Sequence, residues 1–383
     1  MHKICYIVTM ATTIKAFFIP QLQYLAKNGF DVSVICNEDN DIQELLGVKI
    51  HFYPIDIPRG YSIKRSLIAI LKILKILRKE RFSLIQYSTP NASLYASIAG
   101  YFLSIPVRNY HLMGFRYLGA QGIARYFLKN IEKLTCKLST NIECVSCSNL
   151  EFGVVNDIFQ PNKAVVIGNG SSGGIDLTRF DCTKRKIWRK EIRDALHISK
   201  DEFIFGYVGR ITKDKGINEL LSAFFQMSDQ RSCKLLFIGN FEHKELLDQQ
   251  LLKSAMASKN ILFHQSVSNI EKYYAAMDVL ILPSYREGFG NVIIEAGAMG
   301  TPAIASDIPG PKDAIINGST GLLVGSKNIK ELVRAMIELL EKSPAGYNMF
   351  SYNAFYYATK KFDNRILCEK IIERKKSLLQ PEE

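Results

Sequence analysis

Two glutamates eight residues apart, Glu287 and Glu295, flank the turn Gly288-Phe289-Gly290 within PSYREGFGNVIIEAGAMGTP. Carboxylates only accept hydrogen bonds, which suits them to sugar hydroxyls. The run DVLILPS just before them reads as a buried parallel strand ended by Pro and Ser. NVIIEAGAMG then has its bulky apolar residues at helical spacing and stops at Gly300, before Pro302. The glycines therefore fall on a strand-to-helix turn, where the first helical amides lack internal partners and the macrodipole adds partial positive charge. An anion is the natural occupant, and a small residue at Gly290 lets it approach the backbone. Glu287 precedes the helix and Glu295 lies about one turn inside it. An anion at the amides with hydroxyls on either side describes a nucleotide sugar. The alternative for either glutamate is a solvated acid at a helix start.

A second constellation is GYVGRITKDKG. Arg210 stands just past a buried strand, and Lys215 follows five residues on, before the helical INELLSAFF. Two cations on one strand-end loop can grip a diphosphate, Arg with a planar fork and Lys as a compact charge, unless both are merely solvated.

The elements that must carry these residues alternate β and α from the start: KICYIVT, a helix through AFFIPQLQYLAKNG, FDVSVICN, VKIHFYPI, the long helix SIKRSLIAILKILKILRKE, FSLIQYST, a helix from Ala92, PVRNYHLM, a helix from Gln121, and NIECVS. Such alternation predicts an α/β, doubly wound parallel sheet. After VVIGNGSSGGIDLTRF the rhythm breaks into the charged DCTKRKIWRKEIRDAL. It restarts with FIFGYVG, KLLFIGN, ILFHQSV, DVLILPS and PAIASD. A second α/β domain follows, with the boundary between Gly174 and Lys200, giving domains 1–180 and 181–383. Ligands of open α/β sheets bind beyond the carboxyl ends of the strands.

Together GRITKDKG and EGFGNVIIE resemble the signature of the retaining GT-B-fold glycosyltransferases of family 4, glycosyltransferase group 1. That signature is G-R-x-x-x-x-K-G, then a glutamate, seven residues and a second glutamate. The resemblance spans essentially the whole chain. It implies two Rossmann-like domains facing a central cleft, with the last helix, about 363–378, packing on the N-terminal domain. It also implies that Arg210 and Lys215 contact the donor diphosphate, that amides around Phe289, Gly290 and Asn291 bind phosphate and sugar, and that Gly209, Gly288 and Val292 lie beside them. Glu295 would accept from the ribose and Glu287 from the donor sugar, while the backbone near Val267 would line the base pocket. NYHLMGFRY resembles the family's strand-end His loop, so His111 is expected to face the donor sugar across the cleft. GNGSSGGIDLTRF resembles the interdomain N-G-V-D-x-x-x-F element in a longer form, common among enzymes that build bacterial surface polysaccharides. One departure is TMATTIKAFF, where many members carry a glycine-rich loop. It leaves open the acceptor contacts of Thr9, Thr12 and Thr13.

The activity so implied is transfer of a hexose or N-acetylhexosamine, with retention, from a nucleotide sugar, UDP before GDP, to a polyprenyl-diphosphate-linked glycan of O-antigen or capsule. No cofactor is implied, and no metal, because Arg210 and Lys215 supply the charge compensation. A sugar-nucleotide epimerase or a non-catalytic sugar-nucleotide-binding relative is the alternative.

Composition agrees with this frame. The chain has 383 residues, 47% of them hydrophobic, and a net charge of +12. Residues 1–180 hold 20 Lys and Arg against 12 Asp and Glu, the remainder 29 against 25, so the basic half is the first. A basic surface calls for phosphates or an acidic membrane. The helix at 62–82 carries Lys64, Arg65, Lys72, Lys75 and Lys79 on one side and Ile63, Ile70, Ile73, Leu74 and Leu77 on the other, and ARYFLKNIEKLTCKL repeats the mixture. It reads as a crossover helix with wet lysines, or as a seat on an anionic membrane. The expected location is the cytoplasm, peripheral on the inner face of the cell membrane. No run of about 18 apolar residues predicts a spanning helix, and MHKICYIVTM reads as a first strand rather than a signal peptide. The eight cysteines are scattered, and the C-x-x-C at Cys144 and Cys147 reads as structural thiols on a strand running into a turn. IVTMATTI lacks the G-x-G-x-x-G of a dinucleotide enzyme, and no finger spacing or stacking motif points to nucleic acid.

Overall fold

The computed structural model describes residues 1–60, 62–228 and 232–380. The chain forms two units, Met1–Gly174 with the segment from Asn364 onward, and Ile175–Asp363.

The first unit opens with β1 (Lys3–Ile7), α1 (Ala11–Phe17), α2 (Ile19–Lys27), β2 (Asp31–Cys36), α3 (Ile42–Leu46), β3 (Ile50–Pro54) and α4 (Ile63–Glu80). It continues through β4 (Leu84–Tyr87), α5 (Pro90–Phe102), β5 (Val107–Leu112), α6 (Gly122–Leu138), β6 (Asn141–Cys144), α7 (Cys147–Val155) and β7 (Ala164–Val166). All pairings are parallel, in the order β3-β2-β1-β4-β5-β6-β7. The central strands are buried on both faces, which is why KICYI and DVSVIC read as continuous apolar runs.

The second unit contains α8 (Arg185–Ala195), β8 (Phe203–Val208), α9 (Ile217–Ser228), β9 (Cys233–Ile238), α10 (Gln249–Ala257), β10 (Ile261–His264) and α11 (Ile270–Ala276). Then come β11 (Val279–Leu282), α12 (Asn291–Ala298), β12 (Ala303–Ser306), α13 (Pro311–Ala314), β13 (Gly321–Val324), α14 (Ile329–Leu340) and α15 (Pro344–Lys361). Its sheet is also parallel, in the order β10-β9-β8-β11-β12-β13. The charged stretch read as a break in rhythm is α8. Arg189 and Arg193 both bind the Asp278 carboxylate, at 2.6 and 2.7 Å, so these two cations of the helix are structural anchors.

The last helix, α16 (Asn364–Leu379), belongs to the first unit. Its Lys375 is fully buried and donates to both Glu143 oxygens, at 2.7 and 2.9 Å. Burial draws that ammonium below its ordinary value against the pull of the carboxylate.

Two local expectations change. On α4, Ala69, Ile73 and Leu77 are buried, whereas Ile63 is 82% exposed because it precedes the stretch that covers the sheet. A helix does open at Cys147, capped by the Ser146 hydroxyl. Cys144 is nonetheless buried and its thiol is pushed far up by burial, so of the pair Cys147 alone is exposed. Among the described residues no helix is long and apolar enough to cross a membrane.

Candidate functional site

In the second sheet β8 lies between β9 and β11, so strand order reverses there and the carboxyl ends of β8 and β11 border a crevice. From β8 the chain passes Gly209 and Arg210, makes the short turn Lys213–Lys215, and enters α9 through Gly216. From β11 it runs through Pro283 and Glu287 to α12. A Cβ on Gly216, which has φ +72°, would lie 2.1 Å from the Pro283 carbonyl oxygen. Only glycine lets the two loops close to this distance. Once closed they are cross-tied: the Tyr285 amide donates to the Asp214 carbonyl at 2.9 Å, and Arg286 donates to the Asp214 carboxylate at 2.8 Å.

That closure puts Lys215 Nζ 2.6 Å from Glu287 Oε1, with side chains 17% and 13% exposed. The Ser284 hydroxyl donates to the same oxygen at 2.8 Å. Arg210 leaves the same loop but pairs with Glu242 at 2.8 Å, both side chains about half exposed. The two cations of the loop thus meet different acids. Glu295, half-buried in the second turn of α12, accepts from the Tyr274 hydroxyl at 2.9 Å. Burial pushes its carboxyl above the usual range, and the Tyr274 hydroxyl opposes the rise.

Gly290 caps α12 in a left-handed conformation, φ +88°, with no side-chain cap bond. The space a Cβ would take is already bounded by Ile293 Cδ1 at 3.1 Å and Leu282 Cδ2 at 3.2 Å. Its glycine is therefore required by backbone conformation and packing, a reason distinct from the ligand approach read in the sequence. Phe289 is 2% exposed and meets Phe362 edge-on at 5.3 Å, anchoring the turn. Gly288, Asn291 and Val292 surround it in half-buried positions. Val267, also half-buried, lies on the loop beyond β10, where the Ser266 amide donates to the Asn240 side chain at 3.3 Å.

The remaining candidates lie in the first unit. Its strand order reverses between β1 and β4, and there Thr9 is 6% exposed. The Thr9 hydroxyl sits 2.8 Å from the Thr89 hydroxyl, which also accepts from the Thr9 amide at 3.0 Å. Thr9 thus fastens two strand-end loops to each other. Thr12 is exposed and Thr13 half-buried, both in the first turn of α1.

His111 differs most from expectation. It is inside β5 rather than on the loop after it, 9% exposed, with Phe18 edge-on at 5.4 Å and Glu143 Oε2 at 4.0 Å. Burial, helped by Lys375, holds the ring at about 4 even though Glu143 favours the charged form. Its two ring nitrogens face a cavity of about 20 Å³ shared with Gln86 and Glu143 and find no protein partner, room for a single water. The ring thus lines a small pocket of the first unit, its side chain 11% exposed.

Sequence reasoning passed over Ser284, Asp214, Tyr274 and Thr89. Ser284 had a signal, as the polar end of DVLILPS three residues before Glu287; the other three are partners across the fold and had none.

Residues 189–356 match the family described as Glycosyl transferases group 1, and residues 3–146 the family described as Glycosyl transferase 4-like. The capsular polysaccharide biosynthesis glycosyltransferase CapM of Staphylococcus aureus is 29% identical over 97% of this chain and 96% of its own. The UDP-Gal:alpha-D-GlcNAc-diphosphoundecaprenol alpha-1,3-galactosyltransferase of Escherichia coli is 23% identical over 84% of this chain and 83% of its own. Among solved structures, Anabaena Alr3699/HepE in complex with UDP-glucose matches with a TM-score of 0.77 at 17% identity, covering 98% of this chain and 100% of that one. Likeness at that identity speaks for the fold alone. With one family matched in each unit and two doubly wound parallel sheets, this chain belongs to the group 1 glycosyltransferases of GT-B fold.

Proposed function

We propose that this protein transfers a hexose or N-acetylhexosamine, with retention and without a metal, from a UDP-sugar to a growing glycan on a polyprenyl diphosphate during O-antigen or capsule assembly. The observation that carries the reading is the 2.6 Å contact of Lys215 with Glu287 across the β8 and β11 loops. An incoming diphosphate offers the ammonium a more highly charged partner, and Glu287, released, can accept from a sugar hydroxyl. Arg210 joins Lys215 on the phosphates, the amino end of α12 faces the charge that grows on the leaving group, and Glu295 takes the ribose hydroxyls. Fixed donors near developing charge lower the barrier more than they stabilise the ground state. The departing phosphate helps deprotonate the acceptor on the same face, so Glu287 positions sugar and is no nucleophile. His111, which lines the small pocket of the first unit, is assigned to face the donor sugar.

The printed names of the relatives support the wider setting: capsule synthesis for one, a UDP-sugar donor and a diphosphoundecaprenol-linked acceptor for another. Such an acceptor implies peripheral attachment to the inner face of the cell membrane. The test is to incubate the purified protein with UDP- and GDP-sugars, with and without a lipid-linked glycan, and to read products by mass spectrometry and anomeric NMR. Transfer only with acceptor, unchanged by EDTA and with retained configuration, is expected. A free epimer without acceptor, or a covalent glycosyl-Glu287 adduct, would overturn the reading.

A further inference from the structure

The register of the first sheet pairs His111 on β5 with Glu143 on β6, so the two side chains leave the same face. α16 covers that face: Leu367 and Ile371 line the cavity beside His111, and Lys375 donates to both Glu143 oxygens. Held at both oxygens, the carboxylate is fixed in place. Burial works against its charge, yet Lys375, then His111 and Asn109, bring the carboxyl below its ordinary value. A fixed anion therefore stands 4.0 Å from His111 Nδ1.

That anion faces a ring with two forms open to it. Neutral imidazole carries its proton on one nitrogen and a lone pair on the other. At 4.0 Å there is no hydrogen bond, but a buried charge is weakly screened, and it attracts an N–H on Nδ1 and repels a lone pair there. Lys375 pulls the other way; of the two, Glu143 has the larger effect on the ring. The proton belongs on Nδ1, and Nε2 is left as an acceptor.

Nε2 has no partner in the protein. Around the same cavity the Gln86 oxygen accepts from Asn109 at 2.9 Å and the Gln21 oxygen from Tyr6 at 3.2 Å, so both are already engaged. The cavity, about 20 Å³, has room for one oxygen. An unpaired buried acceptor costs free energy, and a single hydroxyl both fits the space and donates.

We propose that Glu143, held in place by Lys375 of the last helix, is a positioning residue that keeps the His111 proton on Nδ1 and so presents Nε2 to one hydroxyl of the donor sugar. The inference rests on the assignment of His111 to the donor sugar made above and names what orients that ring.

Nitrogen NMR on the full chain labelled with 15N-histidine tests it without any donor. His111 is one of six histidines, and its signals are those lost in His111→Gln. The wild type should show the Nδ1–H form at neutral pH, and Glu143→Gln, whose amide can donate to Nδ1, the Nε2–H form. Kinetics then follow the ring. Glu143→Gln should lower kcat/KM about tenfold, the loss of one hydrogen bond, and adding His111→Gln should cost little more, because both changes remove one interaction. Glu143→Leu/Lys375→Met, which removes the buried pair together, guards against a folding defect and should show the same tenfold loss. Losses that add to that of His111→Gln, or an Nε2–H ring in the wild type, would overturn this inference alone. A His111→Gln enzyme with wild-type kcat/KM would overturn it together with the assignment of His111 to the donor sugar.

Discussion

Two lysine–glutamate pairs of nearly equal length sit in opposite surroundings. Lys375 and Glu143 are 0% and 3% exposed at 2.7 Å, while Lys215 and Glu287 are 17% and 13% exposed at 2.6 Å. The first is closed, the ammonium reaching both carboxylate oxygens beneath α16. The second stands at a strand-end crevice, with Ser284 sharing the oxygen that Lys215 uses. The same two residue types therefore fasten a helix when fully desolvated and, when one side is open, remain within reach of the ligand proposed above. Burial, and not the contact distance, separates a latch from a site.

Breaking the latch should have the largest effect. Lys375→Met leaves Glu143 as an uncompensated buried charge, which costs about 3–5 kcal/mol of stability. Urea unfolding measures it. Adding Glu143→Leu should restore most of the loss, because the pair as a whole contributes less than its breakage costs. A single-variant loss below about 1 kcal/mol would mean that the pair holds nothing.

Breaking the open pair should reverse that pattern. Lys215→Ala is expected to lower kcat/KM by about 2.7–4 kcal/mol, the usual cost of removing one donor from developing charge, while unfolding free energy moves by about 1 kcal/mol. Arg210→Ala should behave likewise in kinetics and cost even less stability, since its partner Glu242 is an exposed one. Turnover within about threefold of wild type for both variants would defeat the assignment.

The contrast also shows what the sequence could reveal. Strands buried on both faces appear as apolar runs, so nearly every strand was legible, and Gly209, Gly216 and Gly290 punctuate the loops that carry the cations and acids. Lys215 and Glu287 were singled out because both stand on such loops, but their contact with each other was not legible. The closed pair was not singled out: Glu143 and Lys375 are 232 residues apart and look like any surface acid and any helical lysine. The place of His111 within β5 was hidden for a local reason. Successive strand side chains point to opposite faces, and the motif alone did not say whether residue 111 or the loop from Met113 clears the sheet.

The interior around the latch makes a sharper test through pH. The His111 ring, held at about 4 by burial against Glu143's attraction, stays neutral in the fold while the unfolded chain protonates near 6.5. Its contribution is complete above 6.5 and is lost as pH falls toward 4, about 3 kcal/mol in all. Glu132 acts in the opposite sense. Burial raises its carboxyl to about 7 despite the Tyr110 hydroxyl, so its contribution is present below 4.5 and is lost as pH rises toward 7. In the wild type the two slopes offset each other between about 4.5 and 6.5. Glu132→Gln should unmask a stability that rises with pH across this window, and His111→Leu one that falls. Urea midpoints across a pH series measure both, and identical profiles in the two variants would refute the assignment.

The smallest effect belongs to the acid farther inside the helix. Tyr274→Phe removes the hydroxyl that Glu295 accepts at 2.9 Å and leaves α12 in place. A hydrogen bond to a half-buried carboxylate is worth about 1–2 kcal/mol, so UDP affinity should fall between about fivefold and thirtyfold. If Glu295 holds the ribose, that contact is equally strong before and during bond breaking, and the loss should appear in KM with kcat unmoved. Glu287, proposed to position the transferred sugar, should instead move kcat. A Tyr274→Phe enzyme with depressed kcat and unchanged KM would place Glu295 in the chemical step, and the two glutamates could no longer be told apart by where they stand along the turn.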